Sequence, residues 1–355
     1  MADKGLVLGY FGAANWGDEL ILRSFLKAYR EILNAAGVRL SVTVKLPPDR
    51  AYRESLRELY PGIRFVAMSP FLPFSPALSG YRYLFCPGGS LLQNATSDRS
   101  LKYYLSIINR FAGGKRRALL LNQGIGPITG DAHIAATKRA LSKAALFTAR
   151  DEDTMVWVAD AVPESKRFLS SDGVFACEQE FAPANSVPSK NVFVFVLREG
   201  VAEEAMEFTI GSVPRMYAVD LVALQPVDLE YLREVRIRTV FPHDKVEVMG
   251  PLEFARRLPG STLVVSERYH GLVAALAAGV PFVGIGDDPK IVSFCKEAGM
   301  PYFVRDALHE ATAEDLLARA QSAHDAARLA ALTAEFARRQ EQQKKLVAGL
   351  VGGPP

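Results

Sequence analysis

Residues 262–285 constrain the fold more than any other stretch. Thr-Leu-Val-Val at 262–265 is a short β-branched apolar run of the kind that forms a buried strand. Ser-Glu-Arg-Tyr-His at 266–270 ends it. Small residues over 271–278 fit a helix, and Gly279 and Pro281 stop that helix before a second apolar run to Ile285. Strand, polar corner, helix and strand in that order make a βαβ unit with parallel strands. Arg268 and His270 then sit where a parallel strand feeds a helix N-terminus. Backbone N–H groups and the helix dipole favour an anion there. Ligands of open α/β sheets also collect at the carboxyl ends of the strands. This corner is the candidate catalytic site.

The pattern recurs along the chain. Strands are expected at 5–11, 40–44, 64–67, 83–86, 118–122 and 146–149, and helices at 20–33, 52–59 and 154–161, with a short run at 167–169 after the last of these. Several strands end in glycines: Gly12 and Gly17, Gly88 and Gly89, Gly124 and Gly126. Glycines there let a ligand or a second backbone approach closely. These three ends would line one edge of a parallel sheet, with Gln93 and Asn94 in the turn after Gly89. The loop from Gly12 to Glu19 lacks the Gly-x-Gly-x-x-Gly spacing of a dinucleotide site and the Lys-Ser/Thr of a P-loop. It reads either as a binding loop, with Asn15 and Asp18 as contacts, or as a tight turn in which Asp18 caps the helix.

The polar stretch 183–191, with two prolines, reads as a linker. It divides the chain into an N-terminal Rossmann-like domain over 1–183 and a C-terminal one over 190–325. The second domain opens with the apolar strand 191–197, which ends at Arg198. A strand at 217–224 ends at Gln225-Pro226-Val-Asp228, and a helix follows at 229–237. Another strand is expected from 239–241 or 246–248, then a helix at 253–257. Beyond Ile285, Gly286-Asp287-Asp288-Pro289-Lys290 is a polar strand end before a helix at 291–298. The tail from 313 to 350 has helical spacing and no breaker until Gly349; a terminal helix over about 326–350 is expected to pack back on the first domain.

At 355 residues the chain exceeds what one compact core usually holds, which agrees with two domains. A net charge of +3 is too small to argue for nucleic acid. Cys86, Cys177 and Cys295 are widely spaced and odd in number, so neither a disulfide framework nor a zinc motif follows, and a reducing compartment is the simplest setting. No secretory pattern opens the chain, and no apolar run reaches the ~18–20 residues of a membrane span. The expectation is a soluble cytoplasmic protein. Lys115-Arg116-Arg117 and Arg338-Arg339 are short basic clusters, of the kind that face solvent or an anionic membrane surface. No His/Asp/Glu set has metal-ligand spacing, and Pro289 makes Asp287-Asp288 a turn. His133, His243, His309 and His324 read as solvated surface positions, and the cysteines as core.

Arg198 and Arg268 both follow buried strands of the second domain. Two guanidiniums at adjoining strand ends would converge on one anion, and arginine suits bidentate carboxylate or phosphate binding. The alternative is a pair of surface arginines bonded to Glu199 and Glu267. His270 is either a backbone-bridging imidazole or a proton donor beside a bound anion. A neighbouring anion raises a histidine's proton affinity, as a general acid near neutral pH requires.

In order along the chain stand Gly9-Tyr-Phe-Gly-Ala-Ala-Asn-Trp-Gly-Asp18-Glu19-Leu-Ile-Leu, Pro87-Gly-Gly-Ser-Leu-Leu-Gln93, Gln123-Gly-Ile-Gly-Pro127, Ala149-Arg-Asp151, Arg268-Tyr-His270 and Asp288-Pro-Lys290. The ordered set resembles the polysaccharide pyruvyl transferase family. It is nearest to the CsaB-like branch, which pyruvylates secondary cell-wall polymers that anchor S-layer proteins. The resemblance implies an α/β, GT-B-like fold of two Rossmann-like domains facing across a cleft. It implies phosphoenolpyruvate as donor in the second domain, a sugar with two free hydroxyls as acceptor in the first, and a cyclic pyruvate ketal as product. No cofactor and no metal are required; phosphoenolpyruvate is a co-substrate.

Carried onto this chain, the family's donor-binding and proton-donating positions are Arg198, Arg268 and His270, with Gly271 and Lys290 beside them. The acceptor side falls on Asn15, Asp18, Gly88, Gly89, Gln93 and Gly124, with Asp18 a candidate base. Family members often carry Ser-Leu-Arg-Pro-Trp at the first strand of the second domain. Here Val196-Leu197-Arg198-Glu199-Gly200 keeps the arginine in a different loop. The implied partners are phosphoenolpyruvate and a glycan, free or lipid-linked; a lipid-linked acceptor would bring the enzyme to the inner membrane face, and a homo-oligomer is compatible. Two other readings suit the same fold: a nucleotide-sugar-dependent GT-B glycosyltransferase, and a non-catalytic glycan-binding protein.

Overall fold

The computed structural model describes residues 2–45, 47–180, 191–200, 203–304, 307–308 and 311–352. Residues 183–190 of the expected linker lie outside this set, as do His309 and the side chain of His243. The chain divides into two compact units. One comprises Met1–Ala14, Asp18–Cys177 and Phe336–Pro355, the other Asn15–Gly17 and Glu178–Glu335.

Up to Leu169 the elements are β1 (Lys4–Val7), α1 (Trp16–Ala35), β2 (Arg39–Val44), α2 (Arg50–Leu59), β3 (Arg64–Ala67), β4 (Tyr83–Cys86), β5 (Gly89–Leu92), α3 (Asp98–Arg110), β6 (Arg117–Ile125), α4 (Asp131–Leu141), β7 (Leu146–Ala149), α5 (Glu152–Trp157) and β8 (Arg167–Leu169). The strands form one parallel sheet in the order β3-β2-β1-β4-β6-β7-β8, with β5 paired to β6. Side chains alternate across it as the two-residue period demands. Leu6, Leu84, Cys86 and Leu120 join one core with α3 and α4. Val7, Tyr83, Phe85, Leu119 and Leu121 join the other with α1 and α2. Burial on both faces is why these strands read as continuous apolar runs.

The remaining elements are β9 (Val192–Val196), α6 (Glu203–Gly211), β10 (Ala218–Val222), α7 (Pro226–Arg238), β11 (Val246–Met249), α8 (Pro251–Arg257), β12 (Leu263–Ser266), α9 (Tyr269–Ala277), β13 (Phe282–Ile285), α10 (Pro289–Ala298), β14 (Tyr302–Phe303), α11 (Ala313–Ala323) and α12 (Ala326–Gly352). The second sheet runs β11-β10-β9-β12-β13-β14, parallel throughout. This is the doubly wound order, and its direction reverses between β9 and β12. The corresponding reversal in the first sheet lies between β1 and β4.

The tail forms two helices, the second starting at Ala326. Thr312 and Asp315 form a capping box for α11, and Asp325 accepts the Arg328 N–H at 3.0 Å where α12 begins. In the first unit, α12 inserts Val347 and Val351 into the core beside Tyr83 and Phe85. It also carries two buried glutamines. Gln340 donates to Asn122, Ser170 and Ser171, and Gln343 donates to the Tyr29 hydroxyl at 2.8 Å. Buried amides of this kind require partners, so these bonds fix the helix's rotation and register.

Asp220 on β10 is 3% exposed, with the Arg257 guanidinium 3.5 Å away. Burial pushes its carboxyl from 3.8 to about 6, against the pull of Arg257 and with Glu247 adding to the rise. A folded-state value above the unfolded one means the folded chain binds more protons between them, so stability falls as pH rises from about 4 to about 6. Asp220→Asn is expected to flatten the melting temperature against pH across that window. An unchanged slope would show that Asp220 does not titrate there.

Cys86 and Cys295 fill core positions, and burial pushes the Cys295 thiol up to about 12. His133 and His324 are not solvated as expected. Both are half-buried, His133 Nδ1 lying 3.1 Å from the Thr129 carbonyl and His324 Nε2 3.3 Å from that of Gly279. Among the described residues no group of three or more His, Cys, Asp or Glu is placed to hold a metal ion, and no helix is long and apolar enough to cross a membrane.

Candidate functional site

In the second unit the site is built on the reversal between β9 and β12. Their register pairs Val196 with Ser266, so Arg198 and Arg268, each two residues further on, leave adjoining strands at the same level. Glu267 locks the two ends together: its Oε2 accepts the Arg198 N–H at 2.9 Å, and the residue is 3% exposed. Ser266 shapes the turn, donating to the Arg268 carbonyl at 2.7 Å and accepting its N–H at 3.1 Å. Arg268 is the N-cap of α9 and makes no side-chain cap bond. The dipole end of α9 therefore opens at the strand edge.

Gly271 sets how close that helix comes. A Cβ there would stand 2.3 Å from Ser266 Oγ and 3.2 Å from Val196 Cβ. The missing Cβ of Gly271, a residue expected on the donor side, seats α9 against both strands.

The Arg268 side chain is bonded across the fold to Asp228. Its Nη2 lies 2.6 Å from both carboxylate oxygens of Asp228, itself 1% exposed in the first turn of α7, and 3.4 Å from Gln225 Oε1. Among the described residues its side-chain hydrogen bonds all run through Nη2, and its buried Nε has no partner. Asp228 cancels part of the charge and holds the Nη2 end of the guanidinium. Arg198 is half-buried, and its guanidinium makes no ion pair among the described residues. Lys290, expected on the donor side, begins α10 beyond β13 and bonds Asp288 at 2.7 Å.

His270, the second residue of α9, is half-buried, with its ring edge-on to Tyr269 at 5.2 Å. It packs against Asn15–Gly17, which belong to the second unit. A Cβ on Gly17 would lie 2.1 Å from His270 Nδ1. The segment is held by the Trp16 N–H on the Leu224 carbonyl at 3.0 Å and by Trp16 edge-on to Phe254 at 5.7 Å. Asn15 accepts the Gly17 N–H at 3.2 Å. Asn15, not Asp18, thus caps α1, and this residue expected on the acceptor side lies in the second unit.

In the first unit, Asp18 and the Gly88-Gly89 pair come together. A Cβ on Gly89, whose φ is 92°, would stand 3.6 Å from Asp18 Oδ1. Glu19 braces the preceding loop, accepting the Gly12 N–H and the Tyr52 hydroxyl, each at 2.7 Å. Burial raises its carboxyl above the ordinary value, opposed by those two bonds. Gln93 is turned away to Thr96 in its own loop. Gly124 makes room for a side chain: a Cβ there would fall 2.2 Å from an Arg150 Nη2. Arg150 is 5% exposed, with carboxylates of Asp151 and Asp172 at 3.5 and 3.8 Å.

The family model for polysaccharide pyruvyl transferases matches residues 15–289, well over half of the chain. The chain belongs to the polysaccharide pyruvyl transferase family. No match is found among curated proteins. Several solved structures share the fold. Anabaena HepE, crystallised with UDP, is 13% identical with a TM-score of 0.60, over 98% of this chain and 100% of that one. A Listeria monocytogenes putative UDP-N-acetylglucosamine 2-epimerase is 14% identical with a TM-score of 0.63, over 92% and 91%. A Rickettsia africae glycosyltransferase is 10% identical with a TM-score of 0.62, over the whole of both chains. At these identities the likeness establishes the architecture: α/β, with two Rossmann-like parallel sheets.

The matched span of this pyruvyl transferase family member includes the corner at 266–270 and the loop at Asn15–Gly17. Sequence reasoning named Gln225, Asp228, Gly17 and Arg150 only as parts of strand ends or motifs and gave none of them a role in the site. Each had a signal, since each stands one to four residues beyond a buried strand or opens a helix.

Proposed function

We propose that this protein transfers pyruvate from phosphoenolpyruvate to two hydroxyls of a surface or cell-wall glycan, forming a cyclic ketal. The observation that carries the reading is the level placement of Arg198 and Arg268 at the reversal of the second sheet. His270 stands two residues further on, at a helix N-terminus. Phosphoenolpyruvate brings a carboxylate and a phosphate, and two guanidiniums with a helix dipole are the matching charge. His270 gives a proton to the methylene carbon, which becomes the methyl group, and the adjacent carbon turns electrophilic. One sugar hydroxyl adds there and loses its proton. The second hydroxyl then displaces inorganic phosphate and closes the ring. Asp228 holds Arg268 by its Nη2 for this binding. On the acceptor side we assign Asp18 and Gly88-Gly89 of the first unit, and as the finer placement the CsaB-like branch acting on secondary cell-wall polymer.

The rival reading comes from the fold: the HepE structures hold UDP, UDP with glucose, or UDP-glucose. One experiment separates them. Phosphoenolpyruvate at a hundredfold excess over its Kd is expected to stabilise the protein by about 2.7 kcal/mol, and with a glycan acceptor to release inorganic phosphate. Stabilisation by UDP-glucose and none by phosphoenolpyruvate would reject pyruvyl transfer. Stabilisation without phosphate release from any acceptor tested would favour a binding protein.

A further inference from the structure

The first unit carries an aromatic and basic surface that the transfer reaction does not use. After β3 the chain makes a short 3-10 turn, Leu72–Phe74, in which the Phe74 N–H reaches the Phe71 carbonyl at 3.0 Å. A 3-10 turn repeats every three residues, so positions 71 and 74 share a side. Phe71 and Phe74 are 77% and 75% exposed, while Leu72 and Pro73 between them are buried. The turn has thus anchored itself through its inner face and still leaves two phenyl groups in solvent.

Around them stand cations. Arg110 Nη2 lies 3.5 Å from the Ser75 carbonyl. Arg116 reaches the carbonyls of Arg110 at 3.0 Å and Ser79 at 3.5 Å. Lys143 bonds Asn109 at 3.1 Å, and Lys115 is exposed beside Arg116. Residues 68–81 and 110–117 contain no Asp or Glu. Those two segments therefore offer side-by-side aromatics and uncompensated positive charge.

We propose that this surface docks on an anionic lipid bilayer. Phe71 and Phe74 enter the headgroup boundary while Lys115, Arg110, Arg116 and Lys143 meet lipid phosphates. Phenyl rings partition to that boundary, and each cation near an anionic leaflet adds attraction that salt screens. A glycan, neutral and hydroxyl-rich, would not call for this ring of cations. The proposal stands apart from pyruvyl transfer, since none of these residues belongs to the strand-end site.

The test is co-sedimentation of the full chain with phosphatidylglycerol–phosphatidylcholine vesicles and with pure phosphatidylcholine vesicles. Binding is expected only to the first, and is expected to weaken as salt rises. Phe71→Ser with Phe74→Ser is expected to weaken it about tenfold or more. Lys115→Ser alone is expected to weaken it about fivefold. All three side chains are exposed, and an unchanged melting temperature for the variants verifies the fold. Three results would overturn the proposal. One is no binding to either vesicle, and another is equal binding to both. The third is a wild type that dimerises without lipid and becomes monomeric in the double serine variant, which would make the surface an interface between copies.

Discussion

His270→Ala is expected to fold like the wild type and to turn over at least about a hundredfold more slowly, because removal of a positioned general acid costs at least that much. The side chain is half-buried at the start of α9 and fills no core, so its loss leaves the second sheet intact. The KM for phosphoenolpyruvate should move far less than kcat, since charge recognition falls to Arg198 and Arg268. Arg268→Ala is the contrasting case. It removes a donor-binding cation and also strands the Asp228 carboxylate, 1% exposed, without its partner. Donor affinity and melting temperature should therefore fall together, the latter by up to about 3 kcal/mol of stability. Phosphate release with calorimetry on both variants checks the pair. An His270→Ala enzyme at wild-type kcat would remove the imidazole as the acid.

The second unit's corner was legible because its chemistry is local. Strand, turn and helix N-terminus follow one another over 262–278, and the register that brings Arg198 level with Arg268 follows from two strands of similar length ending in polar residues. Strands at 64–67, 83–86 and 146–149 lie where their apolar runs put them. Partners across the fold were not legible. Nothing near Arg268 in the chain marks Asp228, forty positions earlier in the first turn of α7, as the carboxylate that takes its Nη2. Gly124 shows the same limit: its missing Cβ invites a ligand on paper, and Arg150 from the next strand occupies the space. The β5 strand escaped notice because Pro87-Gly88 separates it from β4, and its partner β6 runs three residues past the apolar core that marks it. The break between α11 and α12 is made by Asp325 as a cap, with neither glycine nor proline to mark it.

Gly17→Ala is expected to slow turnover by about tenfold to a hundredfold, although alanine is the better helix former. The added Cβ would fall 2.1 Å from His270 Nδ1, 2.5 Å from Cε1 and 2.6 Å from Cγ, closer than any real contact. The imidazole is a rigid ring and cannot bend away at its tip. The backbone of residues 15–17 cannot easily retreat either, tied by the Trp16 N–H to Leu224 and by the Trp16 ring to Phe254. The ring must therefore rotate off its position, at an overpacking cost of about 1–3 kcal/mol. A double-mutant cycle isolates that contact from helix propensity. In the His270→Ala background the space opposite Gly17 is vacant, so Gly17→Ala should there cost no stability and gain a little from helix propensity. Melting temperatures of the four proteins, with kcat for the two that keep the imidazole, decide the matter. If Gly17→Ala lowers stability equally in both backgrounds, the clash is with something other than His270. If kcat stays at the wild-type level, the imidazole does not need this seat.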